Sequence, residues 1–413
     1  MALGSVMLLA MSKLSIRDLD LTDKRVFIRV DFNVPLSKEG TITDDTRIRE
    51  TIPTIEYALR RKARVILAAH LGRPKGKVVG SMSLRPVVVR LRMLLDHVLD
   101  EDENVAFAPD CVGAVAQEMS HNLEPGQTLL LENLRFHAGE EANDPGFAQK
   151  LALLCDVYVD DAFGASHRAH ASTEGITHFV EQSATGLLME KELNYLGKAV
   201  TEPFRPFVAI IGGAKVSDKI EVINSLLDRV DSLLIGGAMA YTFLNAKGQS
   251  TGKSLVEGDK TDVALAALKK AEEKGVKFLL PVDHCLADKF ASDARTQMFS
   301  GDGPFPAEWM ALDIGPETIK LFSDEIADAA TIVWNGPMGV AEISRFAKGT
   351  NAIAKALAKN EDAITIVGGG DSVAALHNSG VADKITHIST GGGASLEFLE
   401  GKILPGVAAL TDK

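Results

Sequence analysis

Cysteine is scarce. Only Cys111, Cys155 and Cys285 occur in 413 residues, an odd number, widely spaced and without a CxxC pair. That excludes a disulfide framework, gives no support for a zinc site, and fits a reducing cytosol. Long apolar runs are also missing, since no stretch approaches the ~20 residues of a membrane span. Positive charge is outweighed, with 44 Lys and Arg against 56 Asp and Glu and a net charge of −12, which argues against broad nucleic-acid binding. Two nucleotide fingerprints are incomplete. In Gly368-Gly369-Gly370 and Gly391-Gly392-Gly393 the third glycine of GxGxxG is replaced by Val373 and Leu396. Gly248-Gln249-Ser250-Thr251-Gly252-Lys253-Ser254 has three intervening residues where a P-loop needs four, and it follows a helical segment.

What is present reads as a soluble globular chain, 46% hydrophobic and 24% charged, long enough for two domains of roughly 200 residues. Short β-branched runs alternate with amphipathic helical segments throughout. We expect strands at Arg25–Val30, Val65–Ala69, Thr128–Leu131 and Val157–Asp160, then at Phe207–Ile211, Ser232–Ile235, Phe278–Pro281, Thr331–Trp334, Ala363–Val367 and Lys384–Ile388. This is an α/β pattern: two doubly wound parallel-sheet, Rossmann-like domains. A helical segment, Leu187 to Ala199, followed by Pro203 and Pro206, marks the boundary. The expected division is 1–200, with 187–200 as hinge helix, then 201–390, then 391–413 as hinge and tail. Met1–Ala10 lack a basic n-region and read as a short extension, with Met11 as an alternative start.

The most informative features are glycine turns directly after apolar strands. Ile211-Gly212-Gly213-Ala214-Lys215 leads into Lys219, and Val367-Gly368-Gly369-Gly370-Asp371-Ser372 is the second such turn. Bare backbone followed by a helix start makes an anion site, because N–H groups and the helix dipole point at the ligand. Lys215 and Lys219, four apart at an expected helix start, would share a face and repel unless an anion lay between them. Gly236-Gly237-Ala238 leaves room for a flat base, although tight strand–helix packing explains it equally well. Trp334-Asn335-Gly336-Pro337 makes a third turn at the same sheet edge, and Glu342 follows as a possible ribose acceptor. Asp371 can cap its helix, but beside three glycines and a lysine turn we read it as a magnesium position.

The first half carries arginines and histidines at strand ends: Arg47, His70 with Arg73, Arg135, and His167, Arg168 and His170, while Asp31 and Asn33 follow the first strand. Any one arginine is explained by a surface ion pair. Four at one sheet edge match a small, highly anionic substrate, and the absence of interleaved aromatics argues against single-stranded nucleic acid. One domain would then hold nucleotide and the other an anionic acceptor, with closure excluding water.

These residues carry a resemblance. VDFNVP, ITDDTRIR, HLGRPKG, LLLENLRF, DAFGASHRAHAST, GGAKVSDK, TGKSL, WNGPMGV, GGGDS and ISTGGGASLEFLEGK occur in order, and after Met11 the chain resembles the bacterial phosphoglycerate kinase family from end to end. The resemblance implies reversible transfer of the acyl phosphate of 1,3-bisphosphoglycerate to Mg–ADP, giving 3-phosphoglycerate and ATP, in a cytoplasmic monomer that binds neither membrane nor nucleic acid. It implies phosphoglycerate binding by Asp31, Asn33, Arg47, His70, Leu71, Gly72, Arg73, Arg135 and Arg168. Nucleotide binding falls to Gly213, Ala214, Lys215, Lys219, Gly237, Asn335, Pro337, Glu342, Gly369, Gly370, Asp371 and Ser372. Gly391, Gly392 and Gly393 would line the phosphate path, Asp371 would hold Mg2+, and the tail would fold back on the first domain. Ala341 stands where the family commonly has an aromatic, and the extension has no family counterpart.

The chemistry suits these residue types. A phosphate oxygen of ADP attacks an acyl phosphate and a carboxylate leaves, so no proton must move at neutral pH. Catalysis then rests on positioning and charge neutralisation, which assigns Arg47, Lys215 and Lys219 to the transferring group. A dehydrogenase is disfavoured by the broken GxGxxG. A non-catalytic homologue kept as a binding or scaffold protein should have lost charge at this edge, yet every assigned lysine and arginine, and Asp371, is present.

Overall fold

The computed structural model describes residues 12–97, 105–301 and 303–413. The extension expected at 1–10 lies outside them. Two compact units result. One runs up to Gly197 and takes back Ile403–Lys413, and the other is Lys198–Lys402. The helix Leu187–Thr201 carries the chain from the first unit into the second.

In the first unit the strands are β1 (Arg25–Val30), β2 (Arg64–Ala68), β3 (Val105–Phe107), β4 (Thr128–Leu130), β5 (Val157–Asp161) and β6 (Ser183–Thr185). They form one sheet in the order β3-β4-β2-β1-β5-β6, and every pairing is parallel. Alternation along β1 explains its two-sided burial. Val26, Ile28 and Val30 join one apolar cluster with Val65 and Leu67, while Phe27 joins another with Ile66 and Tyr158. The tail is fastened to this unit by Leu410 in that second cluster and by the Lys13–Asp412 ion pair at 2.6 Å.

The second unit has β7 (Phe207–Ile211), β8 (Ser232–Ile235), β9 (Lys277–Leu279), β10 (Asp283–Ala287), β11 (Thr296–Ser300), β12 (Met310–Ile314), β13 (Thr331–Asn335), β14 (Ile364–Gly368) and β15 (His387–Ile388). Six of them make a second parallel sheet, β15-β14-β13-β7-β8-β9. The other three, β11-β10-β12, form a separate antiparallel sheet that the sequence pattern did not disclose. Its edge strand β11, Thr-Gln-Met-Phe-Ser, is largely exposed and has no apolar alternation to reveal it. The strand expected at Lys384–Ile388 shrinks to two residues because Ala382–Lys384 turn as a 3-10 helix.

Each main sheet reverses its direction of growth once. Successive strands spread one way from β1 and then resume on its other side at β5; likewise β7 is flanked by β8 and β13. In parallel α/β sheets such switch points open a crevice beyond the strands' carboxyl ends, where ligands bind. The expected site residues follow β1, β2, β4 and β5 in one unit and β7, β8, β13, β14 and β15 in the other.

Candidate active site

In the first unit a hydrogen-bonded mesh joins three strand ends. Asp31, buried just after β1, accepts from Arg47 at 2.7 Å and from the Asn33 amide at 3.2 Å. Arg47 sits in the first turn of the helix Thr46–Arg60 with its side chain 35% exposed, so the guanidinium is oriented but not enclosed. Asn33 Oδ1 accepts the Gly72 N–H at 2.9 Å, and Gly72 returns its carbonyl to Arg135 Nη1 at 2.9 Å. Asn133, wholly buried after β4, accepts from Leu71 and Arg135 amides and donates to the carbonyls of Leu71 and Met82. Leu71 therefore has both backbone groups engaged and its side chain in the core. It holds the turn and leaves ligand contact to its neighbours. Arg73 and Arg168 are exposed, and Arg168 Nε donates to His167 Nε2 at 3.1 Å.

Arginine dominates the charge at this edge. Burial pushes His70 well below the ordinary histidine range, with Arg29, Arg135, Arg47 and His170 adding to the effect. His170 is pushed down to about 4, again chiefly by burial, then by Arg135, Arg29 and Arg168. Both imidazoles are neutral at physiological pH, so the permanent charge belongs to arginine. Burial also lowers Arg135, and its Nε has no hydrogen-bond partner although Glu141 lies 3.4 Å away. An unpartnered guanidinium N–H in a buried setting is costly unless a ligand completes it.

In the second unit the glycine turns interlock at the switch point. A Cβ on Gly212 would lie 2.1 Å from the Pro337 carbonyl oxygen, and one on Gly237 (φ +69°) would lie 2.5 Å from Gly213 nitrogen. Only glycine lets the turns after β7, β8 and β13 meet this closely. Gly237 is thus explained by packing. The turn after β14 differs: Gly369 has φ +89°, and a Cβ on Gly370 would meet open space. Ser372 Oγ accepts the Gly336 N–H at 2.7 Å and ties this turn to the one after β13. Asp371 is exposed in the first turn of the helix Gly370–Asn378, and Gly392, at φ +52°, starts the helix Gly393–Leu399. Glu342 and Ala214 are exposed, and Pro337 is half-buried.

The lysines depart from the sequence expectation. The helix begins at Ile220, so Lys215 lies in the exposed turn and Lys219 is the cap residue; they do not share a helix face. The cause is Gly212-Gly213, whose φ of +123° at Gly213 sends the chain through a turn before the helix can start. Lys219 donates to Asn335 Oδ1, and burial lowers its ammonium to about 8, resisted by Asp218, Asp371 and Glu400.

Three residues that matter to the first unit were not singled out from the sequence: Arg29, Glu140 and Ser172, all fully buried. The available signal was an arginine in the middle of a strand buried on both faces, where a charge requires partners. Among the described residues the one group of His, Cys and acidic side chains close enough to share an ion is Asp110, Cys111 and His137, in the first unit. There burial holds the Cys111 thiol well above its usual range.

Gly212→Ala should destabilise the chain by about 3 kcal/mol or more, since backbone meets backbone. Gly370→Ala should leave the melting temperature unchanged or slightly raised while weakening nucleotide binding; thermal melts with and without ADP distinguish the two. For Lys219, depression to about 8 means the ammonium is charged below that pH and lost above it. ADP affinity should therefore fall as pH rises through about 8, with net proton uptake on binding near pH 8. Calorimetry in buffers of different ionisation enthalpy reads this directly, and a flat profile from pH 7 to 9 would contradict it.

Two parallel α/β sheets with cations and bare backbone beyond their strand ends suit an enzyme that handles phosphate groups. The match to known proteins narrows this: residues 16–402 fit the phosphoglycerate kinase family model, and the chain belongs to that family. A phosphoglycerate kinase of Acidobacterium capsulatum is 74% identical over 98% of this chain and all of its own length. One from Koribacter versatilis is 67% identical with the same coverage. The structure of phosphoglycerate kinase from Coxiella burnetii aligns over 96% of this chain and 98% of its own at TM-score 0.85 and 43% identity. That from Pyrococcus horikoshii aligns over the same shares at TM-score 0.81 and 33% identity.

Proposed function

We propose that this chain carries out the glycolytic phosphoglycerate kinase reaction. The phosphoryl group of 1,3-bisphosphoglycerate passes to ADP, a bond forms between phosphorus and a terminal ADP oxygen, and the bond to the carboxyl oxygen breaks. The carboxylate leaves and no proton moves. One observation supports the reading: in both sheets the residues assigned to anion binding follow the carboxyl ends of parallel strands, on either side of the point where strand order reverses. The first unit would hold phosphoglycerate through Asn33, His70, Arg73, Arg135 and Arg168, with Asp31 orienting Arg47. The second would hold nucleotide through Lys215, Lys219, Asn335, Glu342 and the turn Gly369–Ser372. Gly391–Gly393 would flank the transferring phosphate. Because the two ligands occupy different units, transfer calls for closure about the segment containing Leu187–Thr201.

Mg2+ fits Asp371, an exposed oxygen donor beside a glycine with open space in front of it. When bound it neutralises phosphate charge while keeping most of its waters. Among the described residues no helix is long and apolar enough to cross a membrane. On the family resemblance alone, we read the protein as a cytoplasmic monomer. The test is a coupled assay with 3-phosphoglycerate, ATP and Mg2+, following acyl phosphate formation. Turnover that is lost with EDTA and reduced at least tenfold by Asp371→Ala supports the reading. Folded protein that binds ADP but shows no turnover would favour the scaffold alternative.

A further inference from the structure

Arg29 projects from β1 on the Phe27 side of the sheet, fully buried, and each of its contacts has a fixed sense. Guanidinium groups only donate. Nε donates to Ser172 Oγ at 2.8 Å, so Ser172 must direct its own hydrogen elsewhere, and Glu140 Oε1 lies 2.6 Å away. Glu140 Oε2 accepts the Ser172 amide at 3.0 Å, and the carboxyl is entirely buried, so burial raises it while Arg29 and the Ser172 bonds oppose the rise. Arg29 Nη1 donates to the Val30 carbonyl. Nη2 lies 3.1 Å from His70 Nδ1. Because Nη2 can only donate, Nδ1 must accept and cannot carry hydrogen. A neutral imidazole with bare Nδ1 is the Nε2–H tautomer.

We propose that the buried chain Glu140–Ser172–Arg29 is a positioning device that fixes His70 as its neutral Nε2–H tautomer, presenting a single N–H donor to an anionic substrate. The proposal rests on the phosphoglycerate reading of this edge. Protonating His70 would place a hydrogen on Nδ1, directly against the guanidinium, while Arg47, Arg135 and His170 bear on the same ring. The imidazole is thereby excluded from acid–base work and acts as a dipole in a field of arginines. Nε2 takes no partner among the described residues, and 6% of the residue reaches the surface. Ser172 itself follows Arg168 and His170 in their loop, and Tyr158 of β5 donates to its carbonyl at 2.8 Å, so the device ties that loop to the sheet. Displacing Ser172 would therefore disturb both histidine and loop.

The test uses the full chain labelled with 15N-histidine, and His70→Gln assigns the signal. Long-range 1H–15N correlation should show His70 with hydrogen on Nε2 and none on Nδ1, unchanged from pH 6 to 8, with and without 3-phosphoglycerate. Hydrogen on Nδ1, or titration inside that range, overturns the proposal. In Ser172→Ala the His70 signal should become a mixture of tautomers and the KM for 3-phosphoglycerate should rise about tenfold, with the KM for ATP unchanged. A well-folded Ser172→Ala that keeps one tautomer and the wild-type KM also overturns it. If Ser172→Ala does not fold, the wild-type spectrum still decides. A wild type with the expected tautomer but no phosphoglycerate turnover would instead refute the functional reading.

Discussion

Arg47→Ala is expected to lower kcat by about 1,000-fold, or about 4 kcal/mol of transition-state stabilisation, within the range found when a cation on a transferring phosphoryl group is removed. Arg47 is ion-paired with buried Asp31 at 2.7 Å while a third of its side chain remains exposed, so it is held in direction and free at its tip. Binding energy used only in the transition state should appear in kcat, with a smaller change in the KM for 3-phosphoglycerate. Arg47→Lys should recover little, because an ammonium cannot both pair with Asp31 and present a planar fork. Steady-state kinetics of the two variants against wild type provide the check. The fold should survive, since Asp31 retains the Asn33 amide. Turnover within a few-fold of wild type would remove Arg47 from the chemistry.

Lys215→Ala should reduce kcat by about 100-fold or more while melting stays within a degree or two of wild type. The lysine is exposed in the turn after β7 and belongs to no core cluster, so its removal creates no cavity. Lys219→Ala is expected to behave differently, losing nucleotide affinity and some stability, because Lys219 is bonded to Asn335 and lies beneath the switch point. Parallel kinetics and melts on the two variants separate them. Equal destabilisation by both would mean that the turn is simply a packing unit.

The contrast between these lysines shows what the sequence carried and what it did not. Glycine after an apolar run announced the turns after β7 and β14 because local chemistry alone demands them. A spacing of four suggested a shared helix face, but Gly213 at φ +123° delays the helix to Ile220, a backbone event no side-chain pattern reports. Charged strand-end residues such as Arg47 and Arg135 were visible because charge near glycine and proline has no core function to perform. Arg29 was hidden by the opposite circumstance: it looks like one more residue of β1, while its partner Ser172 lies 143 residues along the chain and Glu140 is reached only through Ser172. Leu71 sits in the same motif as His70 and Arg73, yet both its amide and its carbonyl bond Asn133, a pairing across 62 residues that no local pattern reports. The sheet β11-β10-β12 was missed since an exposed strand carries no alternation.

The most direct test of the central claim, that each unit holds its own ligand, is a pair of calorimetric titrations, 3-phosphoglycerate and ADP, on wild type, Arg135→Ala and Lys219→Ala. The account predicts that Arg135→Ala weakens 3-phosphoglycerate binding by at least tenfold and leaves ADP unchanged, while Lys219→Ala does the reverse. Loss of both ligands in either folded variant, or of neither, would contradict it.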